Sequence, residues 1–314
     1  MLLFALATRG PSAGAPPARA ALHMAAPPQI DWQAAEVVLN TPIARGTMQL
    51  RLKTAQAHRY KPGHIFGFEM EHPESGEALK GPYTVTRAVG ADMFDVVYRV
   101  IPSGRKTPLM AQLGAGAHVR YGGSFGTPID EGIAPECDRV VGLATGAGIG
   151  PLVGYAEAAL ASARAPLEIE LYCGFRELAD VCHEACDALV AKYPDRFRWK
   201  PVISQPVTCS AAKLSGFGSE LSSGVGSTAV ETGYLQGRVS IAVPPLLGVV
   251  DEKTHFHLVG NGQFVADLQE GLLRAGVDAA RVTTEKYFNG KAVPNEDVAQ
   301  YVASSLKARA GNIT

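Results

Sequence analysis

The most restrictive feature of the sequence is a glycine-rich turn within residues 139–160, RVVGLATGAGIGPLVGYAEAAL. The run Val140–Ala144 is short and apolar, which is typical of a strand buried on both faces. Gly146 and Gly148 allow the chain to turn sharply and expose its N–H groups, because glycine has no Cβ. Pro151 suits the first turn of a following helix, which does not need its N–H. The pattern therefore predicts a phosphate-binding loop between a strand and a helix, with a merely tight turn as the alternative.

Length and composition narrow the class of protein. The chain has 314 residues, 46% hydrophobic and 19% charged, which is typical of a globular protein with about two domains. Its formal net charge of −1 argues against a nucleic-acid-binding surface. No apolar run approaches the ~20 residues of a membrane-spanning helix, so we expect no transmembrane segment. The five cysteines are odd in number and widely spaced, which favours a reducing compartment over a disulfide framework.

The first 30 residues differ from the rest of the chain. They contain no Asp or Glu, carry Arg9 and Arg19, and are rich in Ala and Pro. This composition is typical of an organelle transit peptide, and a disordered terminus with no targeting role is the alternative. We therefore predict a targeting segment at residues 1–30 and an organelle location, first a plastid, with a mitochondrion or the cytoplasm as alternatives.

Residues 31–136 read as a β domain. Short runs of strand-forming residues are separated by turn signals such as Pro62–Gly63, which predicts an antiparallel barrel or sandwich. A short helix is expected at Thr107–Leu113. The predicted strands are Ala35–Leu39, Met48–Leu52, Ile65–Met70, Tyr83–Arg87, Phe94–Ile101 and His118–Tyr121.

Residues 137–290 alternate between strand and helix, which predicts a parallel sheet with helices on both faces. An insertion at 207–232, rich in Ser, Gly and Thr, is predicted to be a mobile surface loop. In the tail at 291–314, Val298, Tyr301, Val302 and Ser305 are spaced for one helix face. The remaining predicted strands are Val140–Ala144, Leu167–Cys173, Phe197–Ile203, His255–Val259 and Val282–Phe288, and the helices are Leu178–Lys192 and Gln263–Ala275.

Eight short motifs follow one another along these two domains. They are Lys61–His64, Gly81–Thr84, Gly104–Thr107, Gly122–Gly126, Thr145–Pro151, Tyr172–Arg176, Val259–Asn261 and Glu285–Phe288. In this order and spacing the chain resembles the ferredoxin–NADP reductase superfamily over about residues 32–288. The resemblance implies a six-stranded antiparallel FAD-binding barrel followed by a Rossmann-like NAD(P)-binding domain. It also implies hydride transfer from NAD(P)H to FAD and electron transfer to a separate acceptor, either a ferredoxin-like protein or a small molecule.

The resemblance assigns the flavin site to the barrel. Tyr83 would lie flat on the isoalloxazine ring, and Thr84 would reach its N5 atom. In place of the family's usual arginine the chain has Gly81, so a bidentate donor to the flavin phosphate is missing, and Lys80 one position earlier is no equivalent. The turn at Gly104–Thr107 would hold the pyrophosphate. The expected flavin-binding residues are Tyr83, Thr84, Arg99, Gly104, Lys106 and Thr107.

The resemblance assigns the nicotinamide cofactor to the second domain. Its pyrophosphate would lie over Gly146 and Gly148, while Arg176 would contact the ribose. Ser204 is followed by the neutral Gln205 where NADP-specific relatives have arginine. This favours NADH, with NADPH as the alternative if Lys213, Arg238 or Arg176 supplies the positive charge. Val259 replaces the cysteine that many relatives place next to the nicotinamide. The expected residues are Thr145, Gly146, Gly148, Pro151, Arg176, Ser204, Val259 and Gly260.

The last strand completes the expected catalytic set of Tyr83, Thr84, Glu285 and Phe288. Phe288 would shield the second face of the flavin, and Glu285 would handle a proton unless it is merely a surface carboxylate. Because the chain continues to Thr314, its tail must leave the site or lie across it as a lid. Cys182, His183 and Cys186 share one helix turn, but no further pair completes a tetrahedral set, so we expect no metal site. A non-catalytic nucleotide-binding scaffold or redox sensor is the alternative function.

Overall fold

The computed structural model describes residues 30–57, 59–162, 168–205 and 233–310. The predicted targeting segment, apart from Ile30, and the predicted insertion at 207–232 lie outside the described residues. No described helix is long and apolar enough to span a membrane. Residues 31–314 group as one compact unit.

The first half of this unit is a closed antiparallel barrel, which confirms the predicted fold class. Its strand order is β1-β2-β5-β4-β3-β6. Alternate residues such as Leu50, Phe68 and Phe94 fill the interior because successive strand side chains point to opposite faces. The strands are β1 Gln33–Ala44, β2 Thr47–Thr54, β3 Ile65–Glu71, β4 Ala78–Ala88, β5 Met93–Arg99 and β6 His118–Phe125.

Two short helices belong to this half, α1 Thr107–Met110 and α2 Ile129–Gly132. The first is shorter than the predicted Thr107–Leu113. The side-chain amide of Asn40, on β1, donates to the carbonyl oxygens of Met110 (2.8 Å) and Leu113 (3.0 Å). The Met110 carbonyl also accepts the N–H of Leu113 at 3.1 Å, so the chain after α1 continues as i to i+3 turns held to the barrel by Asn40 and not as an α-helix.

The second half is a six-stranded parallel sheet, which also confirms the predicted class. Its order is β10-β9-β8-β7-β11-β12, and apolar clusters cover both faces. The strands are β7 Arg139–Thr145, β8 Glu168–Phe175, β9 Phe197–Ile203, β10 Leu235–Gln236, β11 Thr254–Asn261 and β12 Val282–Phe288. The helices are α3 Ile149–Ala161, α4 Glu184–Lys192, α5 Val239–Ala242, α6 Gly262–Ala275 and α7 Glu296–Ala310.

The predicted helix over residues 178–192 is wrong at its start, because α4 begins only at Glu184. Leu178–Asp180 forms a separate 3-10 turn that directs Asp180 towards the barrel. Oδ1 of Asp180 lies 2.9 Å from Arg45 Nε and 3.5 Å from Arg99 Nη2. Burial raises the pKa of Asp180, but the hydrogen bond from Arg45 and the charge of Arg99 outweigh it and hold that pKa below its usual value. These ion pairs between the two halves interrupt the helix.

Two glycines of α3 bring this helix against the barrel. A Cβ at Gly150 would lie 2.8 Å from the hydroxyl of Thr86 and 2.9 Å from Cβ of Val97. A Cβ at Gly154 would overlap the carbonyl oxygen of Thr86. Because both positions lack a side chain, α3 packs directly on β4 and β5 and holds the sheet against these barrel strands.

The tail forms the predicted helix and lies on α6. Val302 and Leu306 of α7 are buried in the apolar cluster on that side of the sheet. A Cβ at Gly271 of α6 would lie only 2.5 Å from Cβ of Val302, so the two helices approach closely. The described part of the tail therefore leads away from the expected site. This is the first of the two alternatives that the sequence predicted for it.

Candidate flavin and nicotinamide site

A hydrogen bond joins the barrel to the sheet where the sequence predicts the chemistry. The hydroxyl of Thr84, on β4, donates to Oε1 of Glu285, on β12. Tyr287, on the same face of β12, also hydrogen-bonds to Thr84 through its side chain. Burial raises the pKa of Glu285 to about 7, although the hydrogen bond from Thr84 lowers it. Glu285 can therefore bind or release a proton near neutral pH.

Phe288 does not reach this contact. Its side chain is 61% exposed, because strand alternation places residues 285 and 287 on one face of β12 and residue 288 on the other. Tyr287 instead packs against the apolar cluster beneath α3. Tyr287 is not among the site residues predicted from the sequence, although the strand period of two starting from Glu285 indicates it.

Tyr83 lies beside Thr84 and is supported from the barrel. Its ring stacks on Phe68 with centroids 5.0 Å apart and an interplanar angle of 15°. The ammonium of Lys106 lies 4.7 Å from the Tyr83 centroid. The tyrosine ring is therefore held in one orientation by an aromatic neighbour and a cation.

Lys106 is a half-buried cation without a direct carboxylate partner among the described residues. Its Nζ donates to the carbonyl oxygen of Phe68 at 2.5 Å. The negative charge of Glu69 raises the pKa of Lys106. That carboxylate, however, is already paired with Lys80 (2.8 Å) and Arg120. Burial lowers the pKa of Lys106 to about 8. A positive charge in this environment favours an anionic ligand.

Gly81 provides the space for Lys106. A Cβ at Gly81 would lie 3.6 Å from Lys106 Nζ and 3.8 Å from the Tyr83 ring. Any longer side chain at position 81 would compete with the ammonium for this space. An arginine at position 81 of β4, which the family resemblance leads one to expect, would therefore occupy the same region as Lys106, which comes from the turn before α1.

The structure places the other expected flavin residues around the same turn, with one exception. Gly104 closes the turn, because its N–H donates to the carbonyl oxygen of Ile101 at 2.8 Å. The hydroxyl of Thr107 accepts from the N–H of Ile101 at 2.9 Å. Arg99, in contrast, is directed to Asp180 of the second half.

The glycine turn and the end of β11 meet at the carboxyl edge of the sheet. Strand order reverses between β7 and β11, which is where open α/β sheets bind ligands. Gly260 has φ of 137°, and a Cβ there would overlap the hydroxyl of Thr145. A Cβ at Gly148 would lie 3.0 Å from the carbonyl oxygen of Val259. Because these two glycines lack side chains, the turn packs closely against the end of β11.

The turn continues into α3 earlier than expected. Residues Gly146–Gly148 form a 3-10 turn, and α3 begins at Ile149, so Pro151 is its third residue. The N–H of Ile149 donates back to the carbonyl oxygen of Gly146, so the dipole of this 13-residue helix is what favours an anionic group at its start.

The expected ribose contacts lie at the ends of β8 and β9. With the Gln205 amide oriented to satisfy its neighbours, its nitrogen donates to Glu177 Oε1 at 3.0 Å and its oxygen accepts from Arg176 Nη2 at 3.1 Å. The exposed Ser204 donates its hydroxyl to the carbonyl oxygen of Phe175 at 3.2 Å. Arg176, Ser204 and Gln205 are therefore brought together, next to a carboxylate.

Comparison with known proteins agrees with this architecture. An oxidoreductase NAD-binding domain matches residues 143–215. A sequence comparison with curated proteins gives no significant match.

Solved structures with the same fold include three reductases. A cytochrome P450 reductase of Amycolatopsis is 25% identical, with a TM-score of 0.63 over 82% of this chain and 70% of that one. A ferredoxin NADP⁺ reductase from Neisseria gonorrhoeae with bound FAD and NADP is 18% identical, with a TM-score of 0.62 over 82% and 99%. The cytochrome b5 reductase domain of an Ulva prolifera nitrate reductase is 18% identical, with a TM-score of 0.61 over 81% and 97%. With its matched nucleotide domain and its barrel joined to a parallel sheet, this chain has the fold that these reductases share, and it is an FAD- and NAD(P)H-dependent oxidoreductase.

Proposed function

We propose that this chain transfers reducing equivalents from NAD(P)H, through FAD, to a separate acceptor that is a small redox protein or a small molecule. The observation that carries the proposal is the Thr84–Glu285 contact, which brings the strand holding Tyr83 against the carboxyl edge of the nucleotide-binding sheet. From the composition of residues 1–30 we also propose delivery to an organelle, first a plastid.

The residues present fit both cofactors. A stacked Tyr83 ring and the unpaired cation of Lys106 suit an aromatic ring system joined to a pyrophosphate. The turn at Gly146–Gly148, where a Cβ at Gly146 would meet no atom within 4 Å, suits a second pyrophosphate at the start of α3. When bound, FAD supplies the chemistry, because it accepts a hydride and can release electrons one at a time or in pairs.

The protein's own contribution is orientation, exclusion of water and proton handling. Val259 is fully buried at the end of β11, where it packs in the apolar core against Gly148 and offers no reactive side chain. Glu285 stores a proton next to the hydroxyl of Thr84, and Thr84 adjoins the ring of Tyr83. Catalysis by this chain therefore depends on positioning, with Glu285 as the residue that can supply or accept a proton.

Flavin content and reductase activity test the proposal directly. We expect purified protein to bind FAD and to reduce an artificial dye with NADH and, more slowly, with NADPH, since Gln205 and Glu177 offer no positive charge to a 2′-phosphate. Protein that stays colourless with added FAD and reduces no dye would reject the proposal. Nucleotide binding without flavin binding would favour the scaffold or sensor instead.

Replacing the buried carboxyl by an amide, Glu285→Gln, is expected to make stability less dependent on pH. The folded-state pKa of about 7 lies above the unfolded value of about 4.3, so the wild-type contribution is complete below pH ~4.3 and is lost as pH rises through 7. Relative to wild type, the variant should therefore gain stability between pH 5 and pH 8. Urea denaturation at several pH values measures this difference.

The surface variant Glu252→Gln serves as the control for Glu285→Gln, because residue 252 is exposed. Its stability relative to wild type should not change over the same pH range. If the stability of Glu285→Gln relative to wild type were also constant between pH 5 and pH 8, this carboxyl would not titrate near neutrality.

A further inference from the structure

A groove of about 790 Å³ lies where the barrel, helix α3 and the chain between α2 and β7 meet. Pro62 and Arg87 belong to its barrel side, and residues 133–138 of the connecting chain form a second side. The third side is the C-terminal half of α3, from Gly154 to Ala159. We call it the linker groove. Its volume is within the range of small-molecule sites, and no described residue that lines it belongs to the sets expected to hold flavin or nicotinamide.

Much of the surface of the linker groove is apolar. Ile133 and Ala159 pack against the apolar cluster that contains Tyr155, and all three line the groove. Ala134 adds a half-buried methyl group from the connecting chain, and Ala158 adds an exposed one from α3. Such a surface favours a ligand with an apolar body, because binding removes that body from water.

The first cation that lines the groove, Lys61, is held by two carboxylates. Its Nζ lies 2.9 Å from Oδ2 of Asp130 and 2.7 Å from Oε1 of Glu131. The hydrogen bonds to Glu131 and Asp130 raise the pKa of Lys61 above its usual value. The charge of Lys61 is therefore already compensated and does not favour an anionic ligand.

The second cation, Arg87, is compensated from two sides. Its Nη1 donates to both carboxylate oxygens of Glu157 on α3, at 2.9 Å and 3.1 Å. Its Nε lies 3.2 Å from Oδ2 of Asp95, a carboxylate that is fully buried. The guanidinium thus joins β4 to α3 and offers no free charge to a ligand in the groove.

The charges that remain in the groove are negative. Glu136 is exposed and makes no ion pair among the described residues, and exposed Asp138 is 3.5 Å from Lys253. The negative end of the α3 dipole belongs to the same region, because the C-terminal half of that helix lines the groove. An apolar surface next to uncompensated negative charge complements a cation with an apolar body.

We propose that the linker groove binds a small organic ammonium ion, with its apolar body against Ile133 and Ala159 and its charge next to Glu136. No covalent step is involved. Because the groove includes barrel, connecting chain and α3, the ligand contacts both halves at once and stabilises the folded protein by mass action. This binding requires neither FAD nor NAD(P)H and is therefore independent of the proposed function.

Three probes with a phenyl ring on a two-carbon chain test the charge preference. They are 2-phenylethylammonium, neutral 2-phenylethanol and anionic phenylacetate, each titrated into the full-length protein by isothermal calorimetry. We expect the ammonium to bind with a dissociation constant below about 1 mM and about threefold or more tighter than the alcohol, with phenylacetate weakest. No binding of the ammonium, or equal binding of all three probes, would overturn the proposal.

Two alanine substitutions locate the binding site. Ala158 and Ala308 are both exposed on helices, but only Ala158 lines the groove. Ala158→Trp places an indole in the groove and should weaken ammonium binding by about tenfold or more, whereas Ala308→Trp should leave it unchanged. Circular dichroism confirms that both variants are folded. Wild-type affinity in Ala158→Trp would show that the ammonium binds elsewhere.

Glu136→Gln tests the place of the charge, and Glu74→Gln is its control at an exposed turn outside the groove. Glu136→Gln should weaken binding of the ammonium by about threefold and leave binding of the alcohol unchanged. A merely structural role of Glu136 would affect both probes equally. Equal effects on the two probes, or no effect on either, would contradict recognition of the charge by Glu136.

Cys137 gives a readout within the groove itself. It is half-buried and lines the groove, whereas Cys182 is half-buried outside it. Saturation with 2-phenylethylammonium should slow alkylation of Cys137 by iodoacetamide and leave that of Cys182 unchanged, as followed by peptide mass spectrometry. Unchanged alkylation of Cys137 would place the probe outside the groove and overturn the proposal. Protein that fails to bind flavin would reject the proposed function but leave these results intact.

Discussion

Lys106→Met is expected to weaken FAD binding by a factor of about 10–100. Methionine preserves the length and apolar stem of the side chain but removes its charge next to Tyr83. A hydrogen bond to a charged group contributes about 1.5–3 kcal/mol, and each 1.4 kcal/mol corresponds to a factor of ten in affinity. Titration of flavin-free protein with FAD, followed by quenching of flavin fluorescence, measures the dissociation constant at fixed ionic strength.

The pH dependence of FAD affinity gives a second measure of the same charge. Because burial lowers the pKa of Lys106 to about 8, its ammonium loses its proton as pH rises through this range. Wild-type affinity for FAD should therefore fall between pH 7 and pH 9.5, with the midpoint moved upwards to the extent that the bound anion stabilises the ammonium. The Lys106→Met variant should show no such titration.

Lys80→Met is the matched control for Lys106→Met. The Lys80 side chain is 56% exposed and pairs with Glu69, so we expect its removal to change FAD affinity by less than about threefold. The double variant Gly81→Arg/Lys106→Met should recover part of the lost affinity, because the arginine enters the space that the ammonium leaves. Unchanged affinity in Lys106→Met would show that this cation does not contact the cofactor.

Gly154→Ala is expected to lower the free energy of unfolding by about 2–3 kcal/mol, the range seen when atoms are forced into a packed interface. In an unconstrained helix the same substitution would stabilise by about 1 kcal/mol. The loss arises because the new methyl group overlaps the carbonyl oxygen of Thr86 and must push α3 away from the barrel. Urea denaturation monitored by circular dichroism measures the change.

Gly114→Ala provides the comparison for Gly154→Ala. A Cβ at Gly114 meets no atom within 4 Å, so its stability should remain within about 0.5 kcal/mol of wild type. If Gly154→Ala proved as stable as wild type, direct packing of α3 on β4 would not hold the two halves together.

The sequence predicted the structure well where the residues that define an element are next to one another in the chain. The apolar run of β7, the glycine turn and the start of α3 are contiguous, so the strand, the turn and the helix could be predicted from residues 139–160 alone. Short runs of strand-forming residues and the turn residues between them likewise predicted six barrel strands, and the order of motifs predicted the superfamily. The roles of the predicted site residues stay predictions until cofactor binding is measured.

The sequence was less informative where an element ends at a distant contact. Nothing near residue 110 indicates that Asn40 bonds to the last carbonyls of α1. Nothing near Asp180 indicates that two arginines of the barrel bind its carboxyl group and interrupt the predicted helix. In both cases a partner far along the chain outweighs local helix propensity.

By itself the sequence determined the two folds and their order, because periodicity and glycine positions act within a few residues of the backbone. Only the tertiary structure decided which side chains meet: Thr84 with Glu285 and Tyr287, Lys106 with the space at Gly81, and Arg87 with Glu157 in the linker groove. These contacts join residues from separate strands and turns, and close packing between the halves fixes them. Their pKa values, and thus the proton chemistry, depend on burial that no local pattern encodes.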